Sequence, residues 1–459
     1  MESEPSISQP RRAYRAPLPP RFERPPTRFS WQPIACLLFV IVMAVTFVLW
    51  IHRVTSVGGV GVGLFMIPAL TLLSTPLFLR ASREQRFDLA GLMAVGLMLR
   101  FLACFVRFDN ARDGGIYTLK GGELAQSFRN LHFDVNTGAS LPGTGGMRYV
   151  AGLVATITNT SAFAEFLVFT WLGFVGCYLL YRGFVTAMPE ADHRRYALLI
   201  FLWPTLVFWP SSVGKDCWLL FTLGIGALGA ARVFVRRPGG YTLLIIGLLL
   251  GSLVRPHVAL IELVAFAFAL LIGRRVHARP GAITPASVAK IAGLIVMLVI
   301  GTFVVNRTAD LLAANDINAS VDSALTTNST RTAQGSSRFN PSDPRTPIGY
   351  AIASVTILVR PFPFEAHAAD QLMVAIEGLA LMVLAAASWR RLLTIPRRLR
   401  SDPYMTMAII NIMMFIFALG TVSNFGILSR QRAQLVPFVF VLLCLPAVFT
   451  KPRIDAPRR

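Results

Sequence analysis

Residues 197–235 read ALLIFLWPTLVFWPSSVGKDCWLLFTLGIGALGAARVFV, two apolar runs that flank a charged break. Runs of this kind are typical of membrane helices, because backbone polar groups in lipid must find their hydrogen bonds within the protein. The break places Lys215 and Asp216 between the two runs. Ionisable groups at membrane depth are costly, so they mark a functional site more often than a scaffold.

The rest of the chain has the same apolar character. Its 459 residues are 54% hydrophobic, and the mean hydropathy is +0.59. That composition is typical of a polytopic membrane protein rather than a soluble domain. We therefore predict an all-α integral membrane protein with about twelve transmembrane helices. The predicted spans are residues 33–52, 57–79, 89–106, 162–181, 197–210, 217–235, 241–254, 258–272, 288–305, 368–388, 404–422 and 433–449.

The net charge of +21 would suit a nucleic-acid-binding protein, but its distribution suggests another cause. With the amino terminus in the cytoplasm, most of the excess Lys and Arg falls on inner segments, as the positive-inside rule expects. We therefore predict cytoplasmic termini and no nucleic-acid partner. The five cysteines form no C-x-x-C pair and the six histidines do not fall at metal-ligand spacing. We expect no disulfide, no metal site and no cofactor.

Outside the spans, the chain divides into two tails and two long outer loops. The Pro- and Arg-rich start predicts a disordered tail, and the long loops are expected to be functional. The apolar end of the second loop predicts a piece that lies on or dips into the membrane. The predicted segments are a cytoplasmic tail at 1–32, a membrane domain at 33–449 with outer loops at 107–161 and 306–367, and a cytoplasmic tail at 450–459.

Three further breaks carry charge at the same predicted face as Lys215. They are Arg255-Pro-His257, Arg360-Pro-Phe-Pro363 and Arg430-Gln-Arg432. Arginine matches phosphate oxygens with two parallel hydrogen bonds, although near a helix end it also reaches ordinary head groups. Four breaks at one face favour a common site for an anionic, lipid-borne substrate. The predicted phosphate-binding residues are Lys215, Arg255, Arg360, Arg430 and Arg432, with Arg100 as a further cation inside a span.

Two aspartates, Asp109 and Asp113, follow the third predicted span in the first outer loop. A carboxylate there can act as general base on a sugar hydroxyl if it lies within ~3 Å of the proton. The alternative is that the two aspartates pair with Arg107 and Arg112 at the interface. Asp216 likewise suits the first turn of a helix, where a carboxylate is favourable.

Five motifs, in this order, resemble those of the GT-C-type bacterial membrane glycosyltransferases and the related Wzy-like polysaccharide polymerases. They are Asp113-Gly-Gly-Ile-Tyr117, Gly143-Thr-Gly-Gly-Met-Arg148-Tyr149, Trp209-Pro-Ser-Ser-Val-Gly-Lys215-Asp216, Val254-Arg-Pro-His257 and Ser429-Arg-Gln-Arg432-Ala-Gln434-Leu-Val-Pro437-Phe438. The resemblance covers about residues 109–438. The chain lacks the D-x-D pair often seen in the first family.

The resemblance implies an enzyme of cell-envelope or exopolysaccharide synthesis in the bacterial plasma membrane. Such an enzyme takes a sugar from a polyprenyl-phosphate or -diphosphate carrier at the outer face and transfers it to a glycan or lipid acceptor. The resemblance implies Asp113 as the base, or less well Asp109. We expect His257 to protonate or orient the leaving phosphate.

Two alternatives stay open at the level of sequence. One is a polymerase or ligase that joins whole lipid-linked glycan units. The other is a transporter of lipid-linked oligosaccharides or solutes. Transporters place ionisable groups near the bilayer midplane, whereas here the groups fall at predicted outer ends of spans.

Overall fold

A computed structural model describes residues 29–52, 59–84, 86–273, 302 and 338–447 of the chain. Within these ranges every named element is a helix, and an isolated bridge between Arg338 and Asn424 is the one strand-like pairing. The predicted all-α class is therefore confirmed. Apart from residue 302, the predicted span at 288–305 lies outside the described residues. The tail at 450–459, nearly all of the tail at 1–32 and positions 306–337 of the second outer loop also lie outside them.

The described α-helices follow one another with short connections through most of the chain. They are α1 Gln32–His52, α2 Gly63–Leu73, α3 Thr75–Ala81, α4 Leu89–Asn110, α5 Arg112–Arg129, α6 Thr144–Ile157, α7 Ala162–Ala187, α8 His193–Leu202, α9 Pro204–Phe208, α10 Lys215–Phe234, α11 Gly240–Ser252, α12 Pro256–Ile272, α13 Pro347–Val359, α14 Ala369–Ala387, α15 Trp389–Leu392, α16 Ile395–Arg398, α17 Pro403–Leu419 and α18 Phe425–Leu443.

Several of these helices are long and apolar enough to cross a membrane. Five meet that description among the described residues, namely α1, α4, α7, α10 and α14, and bent pairs raise the number to seven. The bends are 41° between α2 and α3, and 107° between the α15–α16 segment and α17. The helices indicate a membrane protein, and the total of twelve spans stays a prediction.

The predicted span at 197–210 is broken in the structure. Helix α8 ends at Leu202 and α9 begins at Pro204, because proline cannot continue the hydrogen-bond ladder of the helix before it. The polar groups freed at this break find partners on two other helices. Arg100 of α4 donates to the Phe201 carbonyl at 3.1 Å, and Glu377 of α14 accepts a hydrogen bond from the Thr205 N–H. The break is therefore a fixed part of the fold.

The first long outer loop is helical over most of its length. Helices α5 and α6 pack against each other within this loop. Arg148 of α6 donates to the carbonyls of Thr137 and Gly138 at 2.9 and 2.8 Å. This fastens the connection between the two helices. The glycines of α5 lower the helix propensity of this segment. Packing of α5 against α6 outweighs that low propensity.

The residues that flank α13 lie near the end of α17 and the start of α18. Before its start, Pro344 lies so close to Gly420 that an added Cβ on Gly420 would come within 2.8 Å of the proline ring. After its end, the Arg360 guanidinium lies 5.2 Å from the centroid of the Phe425 ring. The last turn of α13 packs against the middle of α14, where a Cβ on Gly378 would come within 3.0 Å of the Val359 carbonyl carbon. A helix of 13 residues is about 20 Å long, too short for a hydrocarbon core of about 30 Å.

Candidate anion-binding site at converging helix starts

An arginine bridges two aspartates that are far apart in sequence. Arg430, in the second turn of α18, donates from Nη1 to Asp113 Oδ2 and from Nε to Asp216 Oδ2, each at 3.0 Å. The Asp216 side chain is only 4% exposed, whereas that of Asp113 is 56% exposed. The bridge therefore joins a buried carboxylate to one that solvent or a substrate can reach.

Three more cations surround this bridge. Lys215, at the start of α10, donates from Nζ to Thr144 Oγ1 at 3.2 Å, and it interacts electrostatically with Arg255, Asp216 and Asp113. Arg255 precedes α12 and also interacts with Asp216. The third cation is Arg107 in the last turn of α4. We call Arg107, Lys215, Arg255 and Arg430, together with Asp113 and Asp216, the basic cluster.

Aromatic rings hold one side of the basic cluster. The guanidinium of Arg107 lies 5.0 Å from the centroid of the Trp209 ring and 5.2 Å from that of Phe208. Arg430 lies 5.9 Å from the same tryptophan ring. Arginines favour aromatic faces because the ring quadrupole is negative there. Trp209 therefore sets the spacing between two like charges.

Four helices begin at the basic cluster, and none of them has a side-chain cap. The residues at the N-cap positions of α5, α6, α10 and α12 are Ala111, Gly143, Gly214 and Arg255. The first N–H groups of a helix have no partner within it, and the helix dipole is positive at that end. Helix starts without a cap are favourable places for phosphate or carboxylate groups.

Several buried polar atoms of the basic cluster have no hydrogen-bond partner. They are Asp216 Oδ1, Arg107 Nε and the indole nitrogen of Trp209. These residues are 4%, 8% and 5% exposed. Buried polar groups are nearly always paired in folded proteins, so the N–H groups of Arg107 and Trp209 are donors that an anionic oxygen can pair with.

The basic cluster carries an excess of positive charge. Its four cations face the carboxylates of Asp113 and Asp216, and Asp370 of α14 adds a third carboxylate that interacts with Arg107. The excess is larger if the positive ends of the four helix dipoles are included. A phosphate group would balance this charge.

Tyr117 adds a hydrogen-bond donor to the site. Its side chain is buried and lies within hydrogen-bonding reach of Thr144. Burial, and after it the negative charge of Asp113, raise the pKa of Tyr117 above its ordinary value. The hydroxyl therefore keeps its proton at neutral pH and can donate to an anionic oxygen.

The structure brings together five of the predicted residues. Asp113, Lys215, Arg255 and Arg430 belong to the basic cluster, and His257 interacts electrostatically with Arg255 and Lys215. The alternative was that Asp113 pairs with an arginine close to it in sequence. Instead, Asp113 accepts a hydrogen bond from Arg430, which is 317 residues away. Asp216 takes the predicted place in the first turn of a helix.

Arg432 and Arg100, predicted as phosphate ligands, bind backbone carbonyls instead. Arg432 donates to the carbonyls of Leu358 and Arg360 at 2.8 and 3.1 Å, and to Val374 O at 3.3 Å. Residues two apart on a helix point in roughly opposite directions, so Arg432 faces away from the side of α18 that carries Arg430. Arg100, which is fully buried, anchors the break between α8 and α9. Both arginines therefore hold helices in place.

Arg360 and Asp109, also predicted as site residues, lie outside the basic cluster. The Arg360 guanidinium pairs with Glu365 and contacts the rings of Phe339 and Phe425. Its charge is balanced by that carboxylate. Asp109 is exposed in the last turn of α4, two positions after the buried Arg107 and so on the opposite side of the helix.

Sequence reasoning missed Arg107, Trp209, Tyr117 and Thr144 as members of the site. The sequence signal that could have found them is the absence of Ser, Asp, Asn or Thr at the start of several helices.

Among the described residues, no group of three His, Cys, Asp or Glu side chains is placed to hold a metal ion.

Two adjacent glycines of the predicted motif provide a test of how tightly the site is packed. A Cβ on Gly114 would lie 3.1 Å from the Val213 carbonyl oxygen and 2.6 Å from Cζ of Phe166, whereas one on Gly115 meets nothing within 4 Å. We expect Gly114→Ala to lower the free energy of unfolding by about 1–3 kcal/mol, because α5 must move away from Val213. Gly115→Ala should have no effect or stabilise the helix by up to about 1 kcal/mol. Denaturant titration of both variants in detergent measures the difference, and equal losses would contradict it.

Comparison with protein-family models, with curated proteins and with solved structures gives no match for this chain.

Proposed function

We propose that the chain is a GT-C-like membrane glycosyltransferase with about twelve spans. It moves a sugar from a polyprenyl-phosphate or -diphosphate carrier to a glycan or lipid acceptor at the outer face of a bacterial plasma membrane. The observation that carries the proposal is the convergence of four cations and four uncapped helix starts beside apolar helices. That combination suits an anion attached to a lipid.

In the proposed reaction, Asp113 is the general base. The acceptor hydroxyl oxygen attacks the anomeric carbon of the donor sugar as the bond from that carbon to the carrier phosphate breaks, and the phosphate leaves with the electron pair. The proton of the hydroxyl passes to Asp113. Arg430 holds this carboxylate through one oxygen, and the side chain remains 56% exposed to an incoming acceptor.

Lys215, Arg255 and Arg430 would hold the carrier phosphate and stabilise the charge that develops as the sugar departs. Tyr117 and the first N–H groups of α10 add neutral donors. His257, beside Arg255 and Lys215, would orient the leaving phosphate. The donor already contains the activated bond, so the proposal needs no nucleotide cofactor.

Binding of the carrier alone tests the phosphate site without knowledge of the sugar. We expect Lys215→Ala and Arg255→Ala to weaken binding of undecaprenyl phosphate by about tenfold to a hundredfold each, because each loses a charge-assisted hydrogen bond of about 1.5–3 kcal/mol. Native mass spectrometry of the full chain released from nanodiscs measures the bound lipid.

Lys120→Ala is the matched control for Lys215→Ala. Lys120 lies on α5, is exposed and pairs with Glu123 at 2.9 Å. Its loss should leave lipid binding unchanged. If Lys215→Ala and Lys120→Ala bind equal amounts of undecaprenyl phosphate, the cluster does not hold the carrier.

A transporter is the second candidate function, because transporters also bind anionic substrates at the starts of short or broken helices. The cations lie at helix starts and ends rather than midway along a long helix: Lys215 is the first residue of α10, and Arg255 directly precedes α12. A sugar-transfer assay and a lipid-flipping assay on the same vesicles separate the two activities.

A further inference from the structure

A polar cavity lies at the start of α18. It has a volume of about 600 Å³ and is bounded by the segment 338–340, the segment 360–371 and the start of α18. Small-molecule pockets usually measure about 300–1,000 Å³. We call it the aromatic pocket, because Phe339, Phe364 and Phe425 line it.

Ring stacking, hydrogen bonds and an ion pair hold the wall of the aromatic pocket in place. The rings of Phe339 and Phe425 are parallel, with centroids 4.3 Å apart. The Phe339 N–H donates to the Ser423 carbonyl at 2.9 Å, which ties the segment to the start of α18. Arg360 lies over both rings and pairs with Glu365, whose carboxylate also accepts from the Phe362 N–H at 2.9 Å.

One aromatic ring of the pocket is exposed. Phe364 is 81% exposed and stacks on Phe362 with centroids 5.4 Å apart, so its other face is free to receive a ligand. An aromatic face is negative, and it attracts the weakly positive C–H bonds of a sugar ring. This ring therefore suits a ligand with both C–H and O–H groups on its surface.

The polar lining contains donors and acceptors together. Arg338, Asn340, His367 and Gln371 provide nitrogen donors and amide oxygens, and Glu365 provides a carboxylate. Burial tends to raise the pKa of Glu365, but hydrogen bonds from Arg360 and Phe362 outweigh it and lower that pKa, so the carboxylate stays ionised. The ionised carboxylate of Glu365 can accept hydrogen bonds from hydroxyl groups, which donate to it.

The aromatic pocket and the basic cluster share two helices. On α18, Phe425 and Arg430 are five residues apart, about 7.5 Å along the axis and about 140° around it, so they lie on different sides of the helix. On α14, Asp370 interacts with Arg107, and the next residue, Gln371, lines the pocket. A substrate that reaches from the pocket to Asp113 must therefore extend around the start of α18.

We propose that the aromatic pocket binds a saccharide, the sugar portion of the acceptor. That the bound saccharide is the acceptor rests on the proposed glycosyltransferase function. That the pocket binds a saccharide does not depend on that function. The donor phosphate takes the basic cluster, and the acceptor glycan lies against Phe364 with its hydroxyls on Asn340 and Glu365.

The test is binding of free glycans to the full chain in nanodiscs, on an array of bacterial surface glycans and their constituent monosaccharides. Wild-type protein should bind a subset of the array, and Phe364→Ala should reduce that binding at least tenfold. Because Phe364 is exposed, its loss leaves the fold intact. Asn340→Ala, also at an exposed position, should have a similar effect.

Two controls keep this result separate from the proposed function. Phe133→Ala removes an exposed ring from the α5–α6 connection and should bind like wild type. Lys215→Ala should lose undecaprenyl phosphate but keep the glycans. Equal binding of the array by wild type and Phe364→Ala overturns the saccharide proposal. So does binding of phosphatidylglycerol vesicles to the pocket with no binding of any glycan. Either result leaves the binding of undecaprenyl phosphate to the basic cluster as a separate question.

Discussion

Asp113→Asn is expected to slow sugar transfer by about 10²–10⁴-fold, the contribution typical of a positioned general base. The amide has nearly the same shape and can still accept a hydrogen bond from Arg430, but it cannot take the proton of the acceptor hydroxyl. The pair between Arg430 and Asp216 remains, so the fold and the phosphate site should persist. The measurement is the rate of transfer from polyprenyl-phosphate-linked sugars, alongside undecaprenyl phosphate binding.

Asp109→Asn is the matched control for this prediction. It makes the same chemical change four residues away, on the exposed side of the last turn of α4. Transfer by this variant should be close to that of wild type. If Asp113→Asn retains full activity, Asp113 is not the base, and if only Asp109→Asn loses activity, the base is Asp109.

Arg430→Gln should lower the free energy of unfolding by about 2–4 kcal/mol. The replacement removes the cation that is hydrogen-bonded to the carboxylate of Asp216, which is 4% exposed. Breaking a fully buried pair typically costs about 3–5 kcal/mol, and the loss here is smaller because the Arg430 side chain is 29% exposed. Denaturant titration in detergent, followed by tryptophan fluorescence, measures the change.

A double-mutant cycle identifies the cause of that loss. Asp216→Asn in the Arg430→Gln background removes the negative charge of Asp216, which has lost its hydrogen-bonded arginine. The double variant should therefore be more stable than the sum of the two single losses implies. Arg345→Gln, which breaks an exposed pair with Asp343, should give no measurable loss. Purely additive effects of Arg430→Gln and Asp216→Asn would show that the ion pair contributes nothing.

The sequence predicted the helices, because apolar runs of sufficient length leave few alternatives in lipid. It also predicted Lys215, Arg255, His257 and Arg430 as members of one site, since each interrupts an apolar run at the same predicted face. It did not distinguish Arg430 from Arg432. The difference between a guanidinium that binds carboxylates and one that binds carbonyls depends on which side of α18 faces the end of α13.

The side chains that contact the site residues could not be predicted from the sequence. Arg107 and Arg360 look alike as arginines beside apolar runs, yet one faces Trp209 and the other pairs with Glu365. The helices in the first outer loop were also missed as a pair, because their glycines weaken the local helical pattern. Contact between distant segments decides both features.

The position of Arg430 near the end of the chain has a consequence for how the protein is made. Domains generally acquire structure from the amino terminus as synthesis proceeds. Asp113 and Asp216 leave the ribosome long before the arginine that joins them, which follows by 317 and 214 residues. A product that stalls before α18 therefore lacks the arginine that joins the two acids, and translation must reach this helix before the basic cluster is complete.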